Sequence, residues 1–72
     1  MKRWRLIKER RLRGWTQEIL AQKINITISM VSMIENGSRN PSLKTAFSLA
    51  RLFGIPTDEL FANTDSNKKE RD

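Results

Sequence analysis

The chain has no cysteine and no histidine among its 72 residues. The first absence excludes a disulfide framework, and the two together remove the usual ligands of a structural zinc site. Glycine and proline are scarce, at three and two residues. Gly37 and Gly54 read as helix stops, not as a loop that cradles phosphate. No apolar run approaches the roughly 18 residues of a membrane span. The basic N-terminus has no apolar segment behind it, so no signal peptide is expected and the chain reads as cytoplasmic. Ser29, Ser32 and Ser42 lack a histidine or cysteine to activate them, and no carboxylate pair stands in an obvious cleft. No catalytic residue, metal, cofactor or small-molecule ligand is therefore expected, and the chain does not read as an enzyme. A domain of this size buries only about 60–65% of its unfolded surface. Its fold must rest on well-packed helices or on a partner subunit.

What is abundant is positive charge, and it is unevenly placed. The net charge is +6. Residues 1–13 carry Lys2, Arg3, Arg5, Lys8, Arg10, Arg11 and Arg13 against Glu9 alone, whereas residues 14–72 are balanced at seven basic and seven acidic side chains. A basic helix suits a polyanionic partner, because neutralising phosphates releases counterions. It is also an ordinary solvated helix face, and these two readings stand side by side. Basic residues at a helix N-terminus oppose the macrodipole, so helix stability alone does not call for them.

Between Thr16 and Ser42 the pattern reads as two short helices joined by a tight turn. Thr16 caps a helix over residues 17–23, with Leu20, Ala21 and Ile24 on one face and Glu18 near its positive end. Asn25-Ile26-Thr27 forms the turn. Asn25 is the residue that tolerates positive φ, and Ile26 pins the turn to the core. Thr27 caps a helix over 28–36 that buries Val31 and Ile34, and Gly37 ends it.

Around this unit, a helix is expected over 2–13, with Leu6 inward, helped by Ile7 or Leu12, and Gly14 as its left-handed cap. After a loop at 38–41, Ser42 caps a helix with Leu43, Ala46, Phe47, Leu49, Ala50 and Phe53 at helical spacing, ending at Gly54. Thr57 is expected to cap a short last helix through Asp58, Glu59, Leu60 and Phe61. Residues 63–72 are polar and expected to be a disordered tail, which leaves one domain over 1–62. There are no repeats and no strand candidates.

These residues resemble the helix-turn-helix domain of the phage repressor and Cro superfamily, also called the Xre family. The resemblance is carried by Arg10, Gly14-Trp15-Thr16-Gln17-Glu18, Leu20-Ala21, Ile26-Thr27, Val31-Ser32, Ile34-Glu35-Asn36-Gly37, Arg39-Asn40-Pro41-Ser42 and Leu43 through Phe61. It spans residues 5–61 without a gap. Each piece is a weak motif, and together they are specific by order and spacing. The resemblance implies an all-α, compact five-helix bundle, lambda repressor-like, whose third helix enters the major groove of DNA. It implies base contacts from Ile28, Ser29, Ser32 and Met33. Phosphate contacts would come from Gln17, Thr27, Asn36, Ser38, Arg39 and Asn40. A structural ion pair is implied between Arg10 and Glu35, fixing the angle of the third helix more than adding net stability.

Two departures carry information. The third helix offers Ile28, Met30 and Met33 where the family usually offers polar side chains. Such residues pack on thymine methyl groups and cannot make bidentate bonds to guanine or adenine. For Met30, T-rich readout, a protein-binding surface and simple core packing all stay open. Glu9 stands where the family usually has a leucine-like residue, so either the core is thinner there or Trp4, Leu12 and Trp15 fill it. Because one domain reads few base pairs, a homodimer on a palindromic operator is expected. Ile55, Pro56, Leu60 and Phe61 are its candidate surface, with core capping the other reading of Leu60 and Phe61. The functional expectation is a sequence-specific DNA-binding transcriptional regulator, a repressor, with double-stranded DNA as partner and a protein regulator as a further one. The alternative is an antitoxin or a protein-interaction module using the apolar face of the third helix.

Overall fold

A computed structural model describes residues 2–62 and shows five helices: α1 (Trp4–Leu12), α2 (Gln17–Ile24), α3 (Ile28–Asn36), α4 (Leu43–Phe53) and α5 (Thr57–Leu60). The chain is all-helical over these residues. The polar segment 63–72 lies outside the described residues.

The helix boundaries follow from local chemistry. Thr16, Thr27 and Ser42 each accept the backbone N–H of the residue three positions on, namely Ile19 (3.1 Å), Met30 (3.0 Å) and Thr45 (3.2 Å). Each bond satisfies a first-turn amide that has no partner inside its helix. At the other ends, Asn25 (φ 61°) stops α2, Gly37 (φ 84°) stops α3 and Gly54 (φ 71°) stops α4. Asn25 is the only non-glycine residue with positive φ among those described. Its short polar side chain makes it the natural choice where the turn has no glycine.

Leu6, Leu20, Ala21, Val31, Ile34, Leu49, Phe53 and Leu60 form one buried cluster fed by all five helices. Trp15, Ile24, Ile26, Met30 and Leu52 pack against it. Trp15 meets Phe53 with ring centroids 5.7 Å apart. Truncating one of the fully buried leucines to alanine costs about 2–5 kcal/mol in such a site.

The fold decides or changes three expectations. Of the two candidate helpers of Leu6, Ile7 is buried and Leu12 is 68% exposed. Leu12 lies six positions after Leu6, which on a helix is about 240° and places it on another face. Trp4 also faces outward, so neither fills the space beside Glu9. Leu43 and Phe47 do lie at helical spacing, but on the outer flank of α4, at 71% and 50% exposure. Thr57 is not a cap: Pro56 holds the N-cap position of α5, no side-chain bond caps it, and Thr57 is already helical. Asp58 and Glu59 in that first turn suit the positive end of the helix.

Candidate nucleic-acid interface

The two-helix unit α2–α3 is braced from behind by a buried ionic cluster. Arg10 of α1 grips Glu35 of α3 through Nε to Oε2 (2.6 Å) and Nη2 to Oε1 (3.1 Å). Its third donor, Nη1, reaches the Trp15 carbonyl (2.9 Å). Gln17, the first residue of α2, donates Nε2 to Glu35 Oε1 (3.0 Å). Both charged side chains are buried. A forked, fully hydrogen-bonded pair of this kind fixes geometry, because moving either helix would strand a desolvated charge. The cluster thus ties the start of α2 and the end of α3 to one point on α1.

Gln17 commits one of its two side-chain N–H groups to Glu35, which fixes the amide at the start of α2 and leaves its second N–H as a donor. The same end of α2 also presents its backbone amides to an anion.

Helix α3 shows solvent a face without charge. Its one ionisable residue, Glu35, is turned inward. Ile28 is 47% exposed at the start of the helix, and Ser29 beside it is exposed. Ser32 and Met33 are half-buried. Met30 also packs against the core, which is the ordinary role of a methionine at that spacing. The four residues expected to face bases therefore share one surface that begins at the capped N-terminus of α3.

The remaining expected phosphate contacts gather at the two ends of that helix. Thr27 is exposed at its start. At its end Asn36 Oδ1 accepts the Ser38 amide (2.8 Å), Ser38 Oγ donates to the Met33 carbonyl (3.4 Å), and the Arg39 amide donates to the same carbonyl (3.2 Å). These bonds fold residues 37–40 into a tight loop with the Arg39 side chain exposed. An open groove joins the two ends, with Thr27, Arg39, Asn40, Ser42 and Thr45 among its walls and Met30 beneath. Arg39 and Asn40 thus lie on the same groove as the turn.

The charge of α1 and its flanks goes elsewhere. Arg5 bonds Glu9 (3.1 Å) and comes within 3.9 Å of Glu59 on α5. Arg13 bonds Glu9 (2.8 Å) and the Phe53 carbonyl (2.9 Å), with its guanidinium over the Phe53 ring. The Arg13 hydrogen bond, helped by Arg5, holds the Glu9 carboxyl below its ordinary value near 4.5 against the opposing effect of burial. Glu9, where a leucine would be expected, is thus the hub that two arginines share. Lys8 and Arg11 stay exposed with Trp4 and Leu12 on the outer face of α1. By helical phase that face is opposite Leu6 and Arg10, and so turned away from α3.

Among the candidate dimer residues, Leu60 is fully buried at 0% exposure in the chain's own core, which favours core capping, the other of its two readings, over a dimer surface. Phe61 and Ile55 are half-buried and pack on the core edge, and Pro56 is exposed. One residue had no signal in the sequence at all. Arg3 lies against the end of α3 and donates to three acceptors there.

A capped helix pair, braced from behind and showing the start of its second helix, is the geometry of a protein that docks a helix in a DNA groove. The comparisons with known proteins agree. The family described as Helix-turn-helix matches residues 6–60, and the chain belongs to this Xre-type family of transcriptional regulators. An uncharacterized HTH-type transcriptional regulator of Methanocaldococcus jannaschii is 39% identical over 56 residues, covering 78% of this chain and 85% of that protein. The HTH-type transcriptional regulator ImmR of Bacillus subtilis is 34% identical over 65 residues, covering 90% of this chain. The cryptic phage CTXphi transcriptional repressor RstR of Vibrio cholerae is 30% identical over 59 residues, covering 82% of this chain. The chain spans about half the length of these last two, 51% and 53%.

Proposed function

We propose that this protein is a sequence-specific transcriptional repressor that binds a palindromic operator as a homodimer, with α3 in the major groove. The observation that carries the reading is the pairing of a braced recognition unit with an uncharged α3 surface: Ile28 and Ser29 exposed, Glu35 locked to Arg10 and Gln17 behind. Ile28, Ser29, Ser32 and Met33 face base edges. Ile28 and Met33 pack on thymine methyl groups, and the missing polar contacts shift discrimination toward DNA shape. Gln17, Thr27, Asn36, Ser38, Arg39 and Asn40 hold phosphates, joined by the backbone amides at the start of α2.

Repression is supported by the printed name of RstR. A dimer is the expected way for so small a reader to gain specificity. Its surface comprises Ile55, Pro56 and Phe61. Leu43 and Phe47, large apolar residues one turn apart on the outside of α4, extend it. The domain runs over 1–62, and its place of action is the chromosome in the cytoplasm. No helix among the described residues is long and apolar enough to cross a membrane.

Titration against random-sequence duplex at about 50 and 200 mM salt tests the reading. Several phosphate contacts predict a steep fall in affinity between the two. Absence of binding even at the lower salt would refute DNA docking. It would favour the α3 surface as a protein-binding face, as in an antitoxin or interaction module.

A further inference from the structure

The C-terminal end of α3 carries no basic residue of its own in its last turn, although the exposed carbonyls of a helix end favour a cation. The cation comes from 31 positions away. Arg3 Nη1 donates to the Ile34 carbonyl (2.7 Å) and to the Arg39 carbonyl (3.2 Å), while Nη2 donates to Asn40 Oδ1 (2.6 Å). The Arg3 backbone N–H donates to the Glu35 carbonyl (2.8 Å), and the guanidinium lies over the Phe61 ring at 5.8 Å. One side chain therefore joins four parts of the fold: the start of α1, the end of α3, the loop after it, and the residue that follows α5.

We infer that Arg3 is a positioning residue for DNA binding, which clasps residues 38–40 in the conformation that meets the phosphate backbone. The inference rests on the proposed DNA reading of that loop. The geometry explains what the clasp does. Residues 37–40 leave α3 through a left-handed glycine and are tied back to the helix through Asn36 and Met33, and Arg3 supplies the tie to the rest of the fold. Arg3 holds the loop at two points, the Arg39 carbonyl and the Asn40 side chain. By accepting from Arg3, Asn40 Oδ1 is used internally, and the Asn40 NH2 group is left as a donor for an anion. The Arg39 backbone is anchored from both sides, by Arg3 at its carbonyl and by Met33 at its amide. Its guanidinium is thereby presented from a fixed base, which reduces the ordering cost on binding. The guanidinium meets its three acceptors from two nitrogens held apart in a fixed plane, a geometry that the single nitrogen of an ammonium group does not reproduce.

The test compares wild type, Arg3→Met and Arg3→Lys by amide hydrogen exchange and by affinity for a duplex selected from random DNA. Arg3→Met is expected to keep the exchange of core amides such as Leu20 and Val31. Exchange at Ser38, Arg39 and Asn40 should speed up, and affinity should fall roughly tenfold, the effect of losing one or two net hydrogen bonds. Arg3→Lys, which keeps the charge, should recover only a small part of the loss. Unchanged loop exchange in Arg3→Met overturns the clasp. A faster-exchanging loop with undiminished affinity overturns the positioning role, and so does full rescue by Arg3→Lys, which would assign the effect to net charge. Failure of the wild-type chain to bind any duplex would instead overturn the DNA reading, and the exchange data would still decide whether the clasp exists.

Discussion

Helix α1 carries four cations, Arg5, Lys8, Arg10 and Arg11, while α3 carries one charged residue, Glu35. In the fold, Arg10 of α1 and Glu35 of α3 are buried against each other. Arg5, with its neighbour Arg13, is bound to Glu9, and Arg3 to the end of α3. The exposed start of α3 is left to Ile28 and Ser29. The difference teaches that charge density along a segment does not locate an electrostatic site. Arginine has five donors in a rigid fork, and a small domain with a thin core uses them to join its parts. The helix with the charge is the frame, and the helix without it is the proposed reader.

The strongest way to break this division is to cut the frame at its centre. Arg10→Met leaves Glu35 buried with Gln17 as its remaining side-chain partner and should cost about 3–5 kcal/mol of unfolding free energy in urea titration. That is a large part of the about 5–15 kcal/mol typical of a domain. Arg10→Met combined with Glu35→Leu should recover most of the stability, since no charge is then stranded. It should not recover DNA affinity, because the angle of α3 is no longer specified. A stable double variant that binds like wild type would show that the pair does not orient the reader.

A smaller effect sharpens the other side of the comparison. Ile28→Ala and Met33→Ala should each weaken binding to a selected site by about 1 kcal/mol, roughly fivefold. For the half-exposed Ile28, stability should change by no more than about 0.5 kcal/mol. Leu12→Ala, at a residue as apolar and more exposed but on α1, should leave affinity unchanged. Equal losses from Leu12 and Ile28 would erase the distinction between frame and reader.

Salt dependence separates the cations themselves. Arg39→Ala should lower the slope of log affinity against log salt by about 1, the signature of one lost phosphate contact. Lys8→Ala with Arg11→Ala removes twice the charge from the outward face of α1 and should leave that slope nearly as it was.

The smallest expected effect is in pH. Glu9 has a folded-state pKa held below its ordinary value near 4.5 by Arg13 and then Arg5. The stabilisation it contributes is complete above that value and is lost as the pH falls through the lowered one. The thermal midpoint of Glu9→Gln should therefore fall less than that of wild type between about pH 7 and about pH 3. Parallel curves would show that Glu9 carries no net coupling.

Much of the frame was legible in the sequence because it is local. Thr16, Thr27 and Ser42 act on amides three residues away, and Asn25, Gly37 and Gly54 act on their own backbone, so each announces itself at short range. Arg10 and Glu35 were legible only through the family resemblance. What was not legible depends on distant partners. Arg3 reaches across 31 to 37 positions, and nothing in its neighbourhood distinguishes it from Arg11, which remains exposed. The periodicity of α1 misled for a related reason. Its inward and flanking positions include Arg10 and Glu9, while Leu12 and Trp4 point out, so hydrophobicity does not mark the buried side. Leu43 and Phe47 show the converse, with correct helical spacing and the wrong flank.

Selection of bound sequences from a random duplex pool tests the central claim most directly. The account predicts a palindrome whose half-sites carry thymine opposite Ile28 and Met33, with its centre specified by shape more than by contact. Half-sites dominated by guanine, or a pool with no enrichment at all, would contradict it.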